Sequence, residues 1–256
     1  MENAFGQPQS VVVFGGSSDI ARALTRKLCA ARAHTVVLCG RNPDLLEAAV
    51  NEAREYGATT TDTVIFDALD PTNAERVVNE AFDKVGGHVD LVVISLGLLG
   101  DETSAAEDAT AALAMAMVNY TWPVSALSTI RRRLVAQGSG RILVMSSVAA
   151  VRVRPSMYHY AGAKAGLDRF CGAMADSLEG TGVTLQLVRP GVVRTKMTAG
   201  QPDNVPFTTG PDQVATTVMR SLGEGDRVIW SPPVLRYVFA ILRNLPRVLW
   251  LKVIDR

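Results

Sequence analysis

The sequence has little cysteine and little histidine. Its 3 cysteines form no CxxC pair, so we expect free thiols in a reducing compartment rather than a disulfide framework. The 3 histidines lie far apart, and their spacing matches no metal-ligand pattern. Small disulfide-stapled folds and zinc modules are therefore excluded, and we predict no metal site.

An excess of charge of one sign and long apolar runs are also missing. The 26 basic residues are balanced by 25 acidic ones, so we expect no nucleic-acid partner. No apolar run reaches the ~18–20 residues of a membrane-spanning helix, and the N-terminus lacks the pattern of a secretory signal. We expect a protein in the cytoplasm or peripheral at the cell membrane, with the periplasmic face left open.

Apolar, β-branched runs alternate with longer segments of helical period. Strands are predicted at Ser10–Phe14, Thr35–Cys39, Thr63–Phe66, Asp90–Ser95, Arg141–Ser146, Thr184–Val188 and Arg227–Trp230. Helices are predicted at Ile20–Ala33, Asp44–Tyr56, Asn73–Val85, Ala105–Gln137, Met157–Glu179 and Pro211–Leu222. The strands are apolar throughout, which indicates that both faces of the sheet are covered. We predict one α/β domain over residues 1–256, a Rossmann-type doubly wound parallel sheet of about seven strands with helices on both faces.

Two segments outside this alternation bear on the function. The loop Thr198–Gly210 follows a predicted strand, where ligands bind in such sheets, and we interpret it as a substrate loop or as an ordinary surface loop. The C-terminal segment 232–256 is apolar and basic, and from Arg227 to Arg256 six basic residues stand against one acidic residue. This composition fits a helix at a membrane surface, or a helix packed on the core or on another subunit.

The first predicted strand runs into GGSSDIA, which begins at Gly15 and leads into a helix. A tight turn of this kind offers N–H groups and a helix N-terminus to a pyrophosphate. Ser17 and Ser18 are small and add hydroxyl donors. A glycine-rich nucleotide loop usually has glycines where Asp19 and Ala21 stand, and we interpret Asp19 as the helix N-cap. A plain strand–helix turn remains the alternative.

Three further positions follow predicted strands. Arg41 stands where an acidic residue would bind the free ribose of NAD, so it favours a 2′-phosphate and hence NADP(H), with NAD(H) as the alternative. Asp67 is placed to accept a hydrogen bond from the adenine amino group. Gly97 would let the backbone lie close to the cofactor.

Tyr160 and Lys164 are four residues apart at the start of a predicted helix, so they share one face. A free tyrosine titrates near pH 10, and a neighbouring ammonium lowers its pKa by roughly 1–3 units. The pair is thus a candidate for acid–base chemistry. Taken by itself, a pair on a solvated helix face is the alternative.

With Ser147 after the fifth strand, Asn119 within a helix, and Pro190 and Gly191 before Thr195, the sequence resembles the short-chain dehydrogenase/reductase family. The resemblance covers nearly the whole chain. It implies that Tyr160 donates the proton and Ser147 orients the substrate oxygen. It further implies that Lys164 holds the nicotinamide ribose and tunes Tyr160, that Asn119 supports a water relay, and that Thr195 contacts the cofactor. The expected cofactor-binding residues are Gly15, Ser17, Ser18, Asp19, Ile20, Arg41, Asp67, Gly97, Tyr160, Lys164, Pro190, Gly191, Val193 and Thr195.

Four longer stretches, among them SLGLLGD and RYVFAILRNLPR, are similar to the actinobacterial reductases of decaprenylphosphoryl-2-keto-erythro-pentose. That resemblance implies a polyprenyl-phosphate sugar as substrate, decaprenylphosphoryl arabinose for cell-wall arabinan as product, and a flavin-dependent oxidase as partner enzyme. Arg152 and Arg154 are candidates for binding the lipid phosphate, and Leu98 for touching the substrate. The family also implies a homo-oligomer. A soluble ketone or alcohol as substrate, and a nucleotide-sensing protein without catalysis, are the alternative functions.

Overall fold

Seven parallel strands form one sheet in the order β3-β2-β1-β4-β5-β6-β7. The structure is a computed structural model and describes residues 7–200, 205–225 and 227–254. The strands are β1 (Ser10–Phe14), β2 (Thr35–Gly40), β3 (Thr60–Ile65), β4 (Leu91–Ile94), β5 (Gly140–Met145), β6 (Val183–Pro190) and β7 (Val228–Ser231). The order reverses between β1 and β4, which places a crevice beyond the carboxyl ends of these strands. The predicted doubly wound α/β sheet is confirmed.

Helices cover both faces of the sheet. They are α1 (Asp19–Ala30), α2 (Pro43–Glu55), α3 (Ala74–Val85), α4 (Glu102–Glu107), α5 (Ala109–Ala116), α6 (Trp122–Gln137), α7 (Tyr158–Ser177), α8 (Pro211–Glu224), α9 (Leu235–Leu242) and α10 (Arg247–Ile254). In β1, Val11 and Val13 pack on one side with residues of α1, α2 and α8. Val12 and Phe14 pack on the other side with residues of α3, α6 and α7. The continuous apolar strands are thus explained by two cores, one on each face.

The single helix predicted over Ala105–Gln137 is wrong, because the chain interrupts it twice. Asp108 has an extended backbone, and its carboxylate caps α5 by accepting from the Thr110 N–H at 2.8 Å. A wide π turn then spans Met117–Thr121, just before α6. Pro123 has no N–H to donate to the carbonyl four residues earlier, which accounts for a wider turn at this point.

The predicted strand Thr63–Phe66 starts three residues too late, because β3 begins at Thr60. This strand lies at the edge of the sheet beside β2 and is largely exposed. Polar side chains such as Asp62 therefore lie in contact with water. An apolar criterion identifies buried strands and misses the polar half of an edge strand.

Both ends of the predicted substrate loop Thr198–Gly210 are tied to Val193. The Thr198 hydroxyl donates to the Val193 carbonyl at 2.6 Å, and Thr209 pairs with Val193 in a parallel bridge. Residues 201–204 of the loop lie outside the described residues, as do residues 255 and 256 of the C-terminal segment.

Candidate active site

A cleft of about 520 Å³ opens beyond the carboxyl ends of β1, β4, β5 and β6. Most of the residues expected at the site line it. They are Ser17, Ser18, Asp19, Ile20, Arg41, Gly97, Ser147, Arg154, Tyr160, Lys164, Pro190, Gly191, Val193 and Thr195. Five others, Gly15, Asp67, Leu98, Asn119 and Arg152, are not among the described lining residues. The fold therefore gathers into one cleft side chains that are up to 178 positions apart in the sequence.

The turn after β1 depends on Gly15, whose φ is +83° and whose added Cβ would lie 2.6 Å from the Ser95 carbonyl oxygen. A side chain at this position would be strained by both the backbone and the contact. Ser18, not Asp19, is the N-cap of α1, because its hydroxyl accepts from the Ala21 N–H. The prediction for Asp19 is thus corrected: its carboxylate accepts from the backbone N–H of Lys196 at 2.8 Å.

Arg41 and Asp67 follow β2 and β3. Arg41 is exposed on the wall of the cleft. Asp67 uses one carboxylate oxygen to accept from the Leu69 N–H at 3.0 Å, and its carbonyl accepts from the Asn73 side chain. Its main observed role is therefore to shape the turn after β3.

Tyr160 lies in the first turn of α7 and lines the cleft together with Ser147, which follows β5. Burial raises the pKa of the Tyr160 phenol, and the neighbouring Ser147 hydroxyl lowers it by less. The net pKa of Tyr160 is therefore raised in this structure, where the sequence predicted a lowered one. Burial outweighs every other influence on the phenol, which keeps its proton at neutral pH.

Lys164 follows one turn later and is only 2% exposed. Its ammonium donates to the backbone carbonyls of Leu96 at 2.9 Å and Met145 at 3.1 Å. Burial lowers the pKa of the Lys164 ammonium to about 8. Lys164 thus joins α7 to the ends of β4 and β5 and titrates close to the physiological range.

Asn119 lies fully buried within the π turn. Its amide nitrogen donates to the carbonyls of Leu98 at 2.7 Å and Met115 at 2.9 Å, and its amide oxygen accepts from the Leu98 N–H at 3.2 Å. The side chain therefore fixes the backbone of the loop after β4. Leu98 is not among the described residues that line the cleft, whereas Leu99 is.

A partly buried ion pair lies behind the candidate catalytic residues, and no pattern in the sequence indicates it. Asp168, on α7, receives two hydrogen bonds from the Arg189 guanidinium, at 2.9 and 2.6 Å, and one from the Ser146 hydroxyl at 2.8 Å. The Arg189 guanidinium also lies 5.0 Å from the centre of the Trp230 ring. This network connects α7 with β5, β6 and β7. The contact between Asp168 and Arg189 can be recognised only once the position of α7 over β6 is known.

The substrate end of the cleft differs from the prediction at Arg152. Its guanidinium donates to the Leu242 carbonyl at the end of α9 and lies 4.5 Å from the centre of the Trp250 ring. It therefore binds the C-terminal helices instead of facing the cleft. Arg154 is exposed on the cleft wall. Met197, which was not predicted, also lines the cleft, close to Gly97.

A family model described as short chain dehydrogenase matches residues 9–205 of the chain. The protein belongs to this family, whose members bind NAD(H) or NADP(H), and it is an oxidoreductase. It is 40% identical to the uncharacterized oxidoreductase Rv2073c of Mycobacterium tuberculosis over 94% of this chain and 95% of that protein. It is 38% identical to the uncharacterized oxidoreductase in the mprA 5′ region of Streptomyces coelicolor, over 99% of each.

Solved structures agree with this family assignment at the level of the fold. Actinorhodin polyketide ketoreductase, solved with NADPH, superposes with a TM-score of 0.76, covering 87% of this chain and 95% of that chain. Its sequence identity is 23%, so the likeness establishes the shared architecture and leaves the substrate open.

Proposed function

We propose that this oxidoreductase reduces a ketone with NADPH and that Tyr160 gives the proton to the substrate oxygen. The observation that carries this proposal is that Tyr160, Ser147 and Lys164 line one cleft, with Lys164 one turn after Tyr160 on α7. In the proposed complex, the substrate oxygen accepts a hydrogen bond from each of the two hydroxyls.

The nicotinamide ring, when bound, supplies the hydride for the ketone carbon. Ser147 donates a hydrogen bond to the oxygen as negative charge develops there. Tyr160 transfers its phenolic proton to that oxygen. The Lys164 ammonium, on the same helix face, stabilises the phenolate that Tyr160 becomes. Asn119 holds the loop after β4 in place through Leu98 while this occurs.

The residues after β1 and β2 fit a dinucleotide. Asp19 and Ile20 begin α1, where backbone N–H groups have no intrahelical partners, and both line the cleft. The Asp19 carboxylate would repel phosphates, but it is held by the N–H of Lys196. Arg41 adds an exposed positive charge on the same wall. We therefore assign the 2′-phosphate of NADP(H) to Arg41.

The test of the reaction is ketone reduction by the purified protein and by Tyr160→Phe. General acid–base groups contribute about 10²–10⁴-fold, so the variant should lose at least about 100-fold in kcat. NADPH affinity, measured by fluorescence titration, should stay within about two-fold because the phenyl ring remains. Full activity of Tyr160→Phe would refute the assignment of the proton donor.

The test of the cofactor is Arg41→Ala, with Arg54→Ala as a matched control. Arg54 is exposed on α2 and bonds only to Asn51 in the described contacts. Loss of a charge-assisted bond at Arg41 should raise KM for NADPH roughly 10- to 100-fold and leave KM for NADH within about three-fold. Equal changes for the two cofactors would contradict the assignment.

We further propose that the ketone is a 2-keto sugar on a polyprenyl phosphate, made by a flavin-dependent oxidase and reduced to decaprenylphosphoryl arabinose for arabinan synthesis. The similarity of four stretches to reductases of this kind supports the proposal. Arg154 supports it as well, because its exposed guanidinium on the cleft wall suits a phosphate. Arg152 is left out of the phosphate site because α9 and α10 engage it.

The surface of α9 and α10 favours a substrate embedded in a bilayer. Tyr237 is 69% exposed and Ile241 is 67% exposed, and both lie on one side of α9, while Val248 of α10 is equally open. Four basic residues and no acidic ones occur between Val228 and Ile254. An apolar face with basic neighbours binds the interface of an anionic membrane. None of the described helices is long and apolar enough to span a bilayer, so the proposed contact is peripheral.

Two measurements test the lipid proposal. Co-sedimentation with phosphatidylcholine vesicles, with and without phosphatidylglycerol, should show binding to the anionic vesicles and its loss in Tyr237→Ser/Ile241→Ser. Leu113→Ser is the control, because Leu113 is 55% exposed on α5 instead. The oxidised polyprenyl-phosphate sugar with NADPH should then yield the arabinose product. An enzyme that reduces soluble ketones but leaves this lipid unchanged would exclude the lipid substrate.

A further inference from the structure

Helix α7 carries Tyr160 in its first turn but has no cap of its own. Met157 occupies the N-cap position, and its side chain makes no capping hydrogen bond. The first N–H groups of a helix have no intrahelical partners and need acceptors from elsewhere. The helix that aims the proton donor therefore depends on another part of the chain for its start.

Glu102 supplies that acceptor from the first residue of α4. Its Oε1 accepts from the backbone N–H of His159 at 3.0 Å and from Nδ1 of the same histidine at 2.7 Å. The carboxylate is only 19% exposed and the imidazole 22%, so water competes weakly for these bonds. A negative charge at the N-terminus of a 20-residue helix is also favourable for its dipole.

The contact joins the two sides of the cleft. His159 directly precedes Tyr160, and Glu102 follows the loop from Leu96 to Asp101, which lines the cleft at Leu96, Gly97 and Leu99. The same loop is held by Lys164 at the Leu96 carbonyl and by Asn119 at Leu98. Glu102, at the end of this loop, provides the third attachment. It binds His159, the residue next to Tyr160. The Tyr158 ring lies against the His159 ring, with ring centres 4.3 Å apart and a tilt of 34°, and restrains the imidazole.

We propose that Glu102 is a positioning residue for Tyr160. By capping α7 at His159, it sets the distance between the donor hydroxyl and the loop that faces the substrate. This inference rests on the proposed function of Tyr160 as the proton donor. A misplacement of about 1 Å at a reacting group costs roughly 100-fold in rate, so a loosened first turn should reduce kcat far more than it reduces cofactor binding.

The experiment compares Glu102→Ala, Glu102→Gln and Glu107→Ala. Glu107 is exposed at the other end of α4 and serves as the matched control. Glu102→Ala should lower kcat about 10- to 100-fold, with NADPH affinity within about two-fold. Glu102→Gln keeps an oxygen acceptor for the His159 N–H and should stay within about three-fold of the wild-type kcat. Glu107→Ala should match the wild type.

Two further readouts distinguish this inference from the proposed function. His159→Ala added to Glu102→Ala should change kcat by less than about two-fold, because the two groups act as one unit. Amide hydrogen exchange at His159 and Tyr160 should be roughly 10-fold faster in Glu102→Ala and unchanged in Glu107→Ala. The exchange result stands even if the wild type reduces no ketone. Unchanged exchange, additive kcat losses, or equal losses in the Ala and Gln variants would overturn the positioning role.

Discussion

The surroundings of Tyr160 and the C-terminal helices are built in opposite ways. Around Tyr160, buried polar side chains are bonded to the backbone, with Lys164 2% exposed and Asn119 0% exposed. The C-terminal helices α9 and α10, of which no described residue lines the cleft, leave large apolar side chains such as Tyr237 in water. Buried hydrogen bonds hold the chemistry to one geometry, whereas an exposed surface is free to vary with the partner.

Two arginines connect these two regions. Arg189 bonds to Asp168 on α7 and stacks on Trp230, which in turn packs against Phe239 of α9 with ring centres 6.1 Å apart. Arg152 reaches from the loop after Ser147 to both C-terminal helices. The contrast between the two regions predicts that substitutions destabilise the protein most around Tyr160 and progressively less toward the C-terminus.

The largest effect is expected for Asp168→Ala. Removing the buried carboxylate leaves the partly exposed Arg189 guanidinium without its partner and costs about 3 kcal/mol, the low end for buried pairs, measured as the free energy of unfolding in urea. Asp176→Ala is the control on the same helix. Its carboxylate also pairs with an arginine, Arg227, but is 68% exposed against 7% for Asp168, so its loss should stay below about 1 kcal/mol. Equal losses at the two sites would contradict the contrast between a rigid and an exposed side.

The second effect concerns the pH dependence of stability. The pKa of Lys164 is about 8 in the folded protein and 10.5 in a model peptide. Between these values the unfolded chain keeps a proton that the folded chain has lost, so this residue makes folding more favourable as the pH rises from 8 to 10. The gain is about 2 kcal/mol, since each pKa unit corresponds to roughly 1.4 kcal/mol.

Lys164→Met provides the comparison for that measurement. The buried thiols act in the opposite direction, because burial raises the pKa of Cys171 to about 12 and of Cys29 to about 11. Only the difference between wild type and variant in urea unfolding isolates the lysine. A difference that does not change between pH 8 and pH 10 would mean that the folded lysine titrates normally.

These two predictions also mark what the sequence could and could not provide. Local patterns identified the sheet, the turn at Gly15 and the Tyr160–Lys164 pair, because strand composition and helical spacing act over a few residues. The Asp168–Arg189 pair could not be predicted, since it depends on how α7 lies over β6. The same holds for the pKa of Tyr160, where burial by distant residues outweighs the ammonium one turn away.

The helix predicted over Ala105–Gln137 failed for a different reason. Its apolar residues continue at helical spacing past Asp108 and Pro123. The helix is nevertheless interrupted, because the Asp108 side chain caps α5 and Pro123 lacks an N–H to donate. The break has a consequence for the site. It creates the π turn that carries Asn119 and the short helix α4 that begins with Glu102. Apolar spacing therefore fails to predict the structure at the point where the chain departs from a regular helix beside the cleft.

The smallest effect is expected at Arg152, which links the loop after Ser147 to the C-terminal helices. Arg152→Lys keeps the positive charge but loses the planar stacking on Trp250 and the fixed geometry of the bond to the Leu242 carbonyl. A cation–π contact of this kind contributes about 0.5–1 kcal/mol, so global stability should barely change. Limited proteolysis should instead cut between α9 and α10 several-fold faster, because these helices lose one of their few attachments. Arg154→Lys, two residues away with no such contact, should leave the cleavage rate unchanged. If Arg152→Lys resists the protease as well as the wild type does, the C-terminal helices are held by their apolar contacts alone, and the Arg152 link between the two regions would be dispensable.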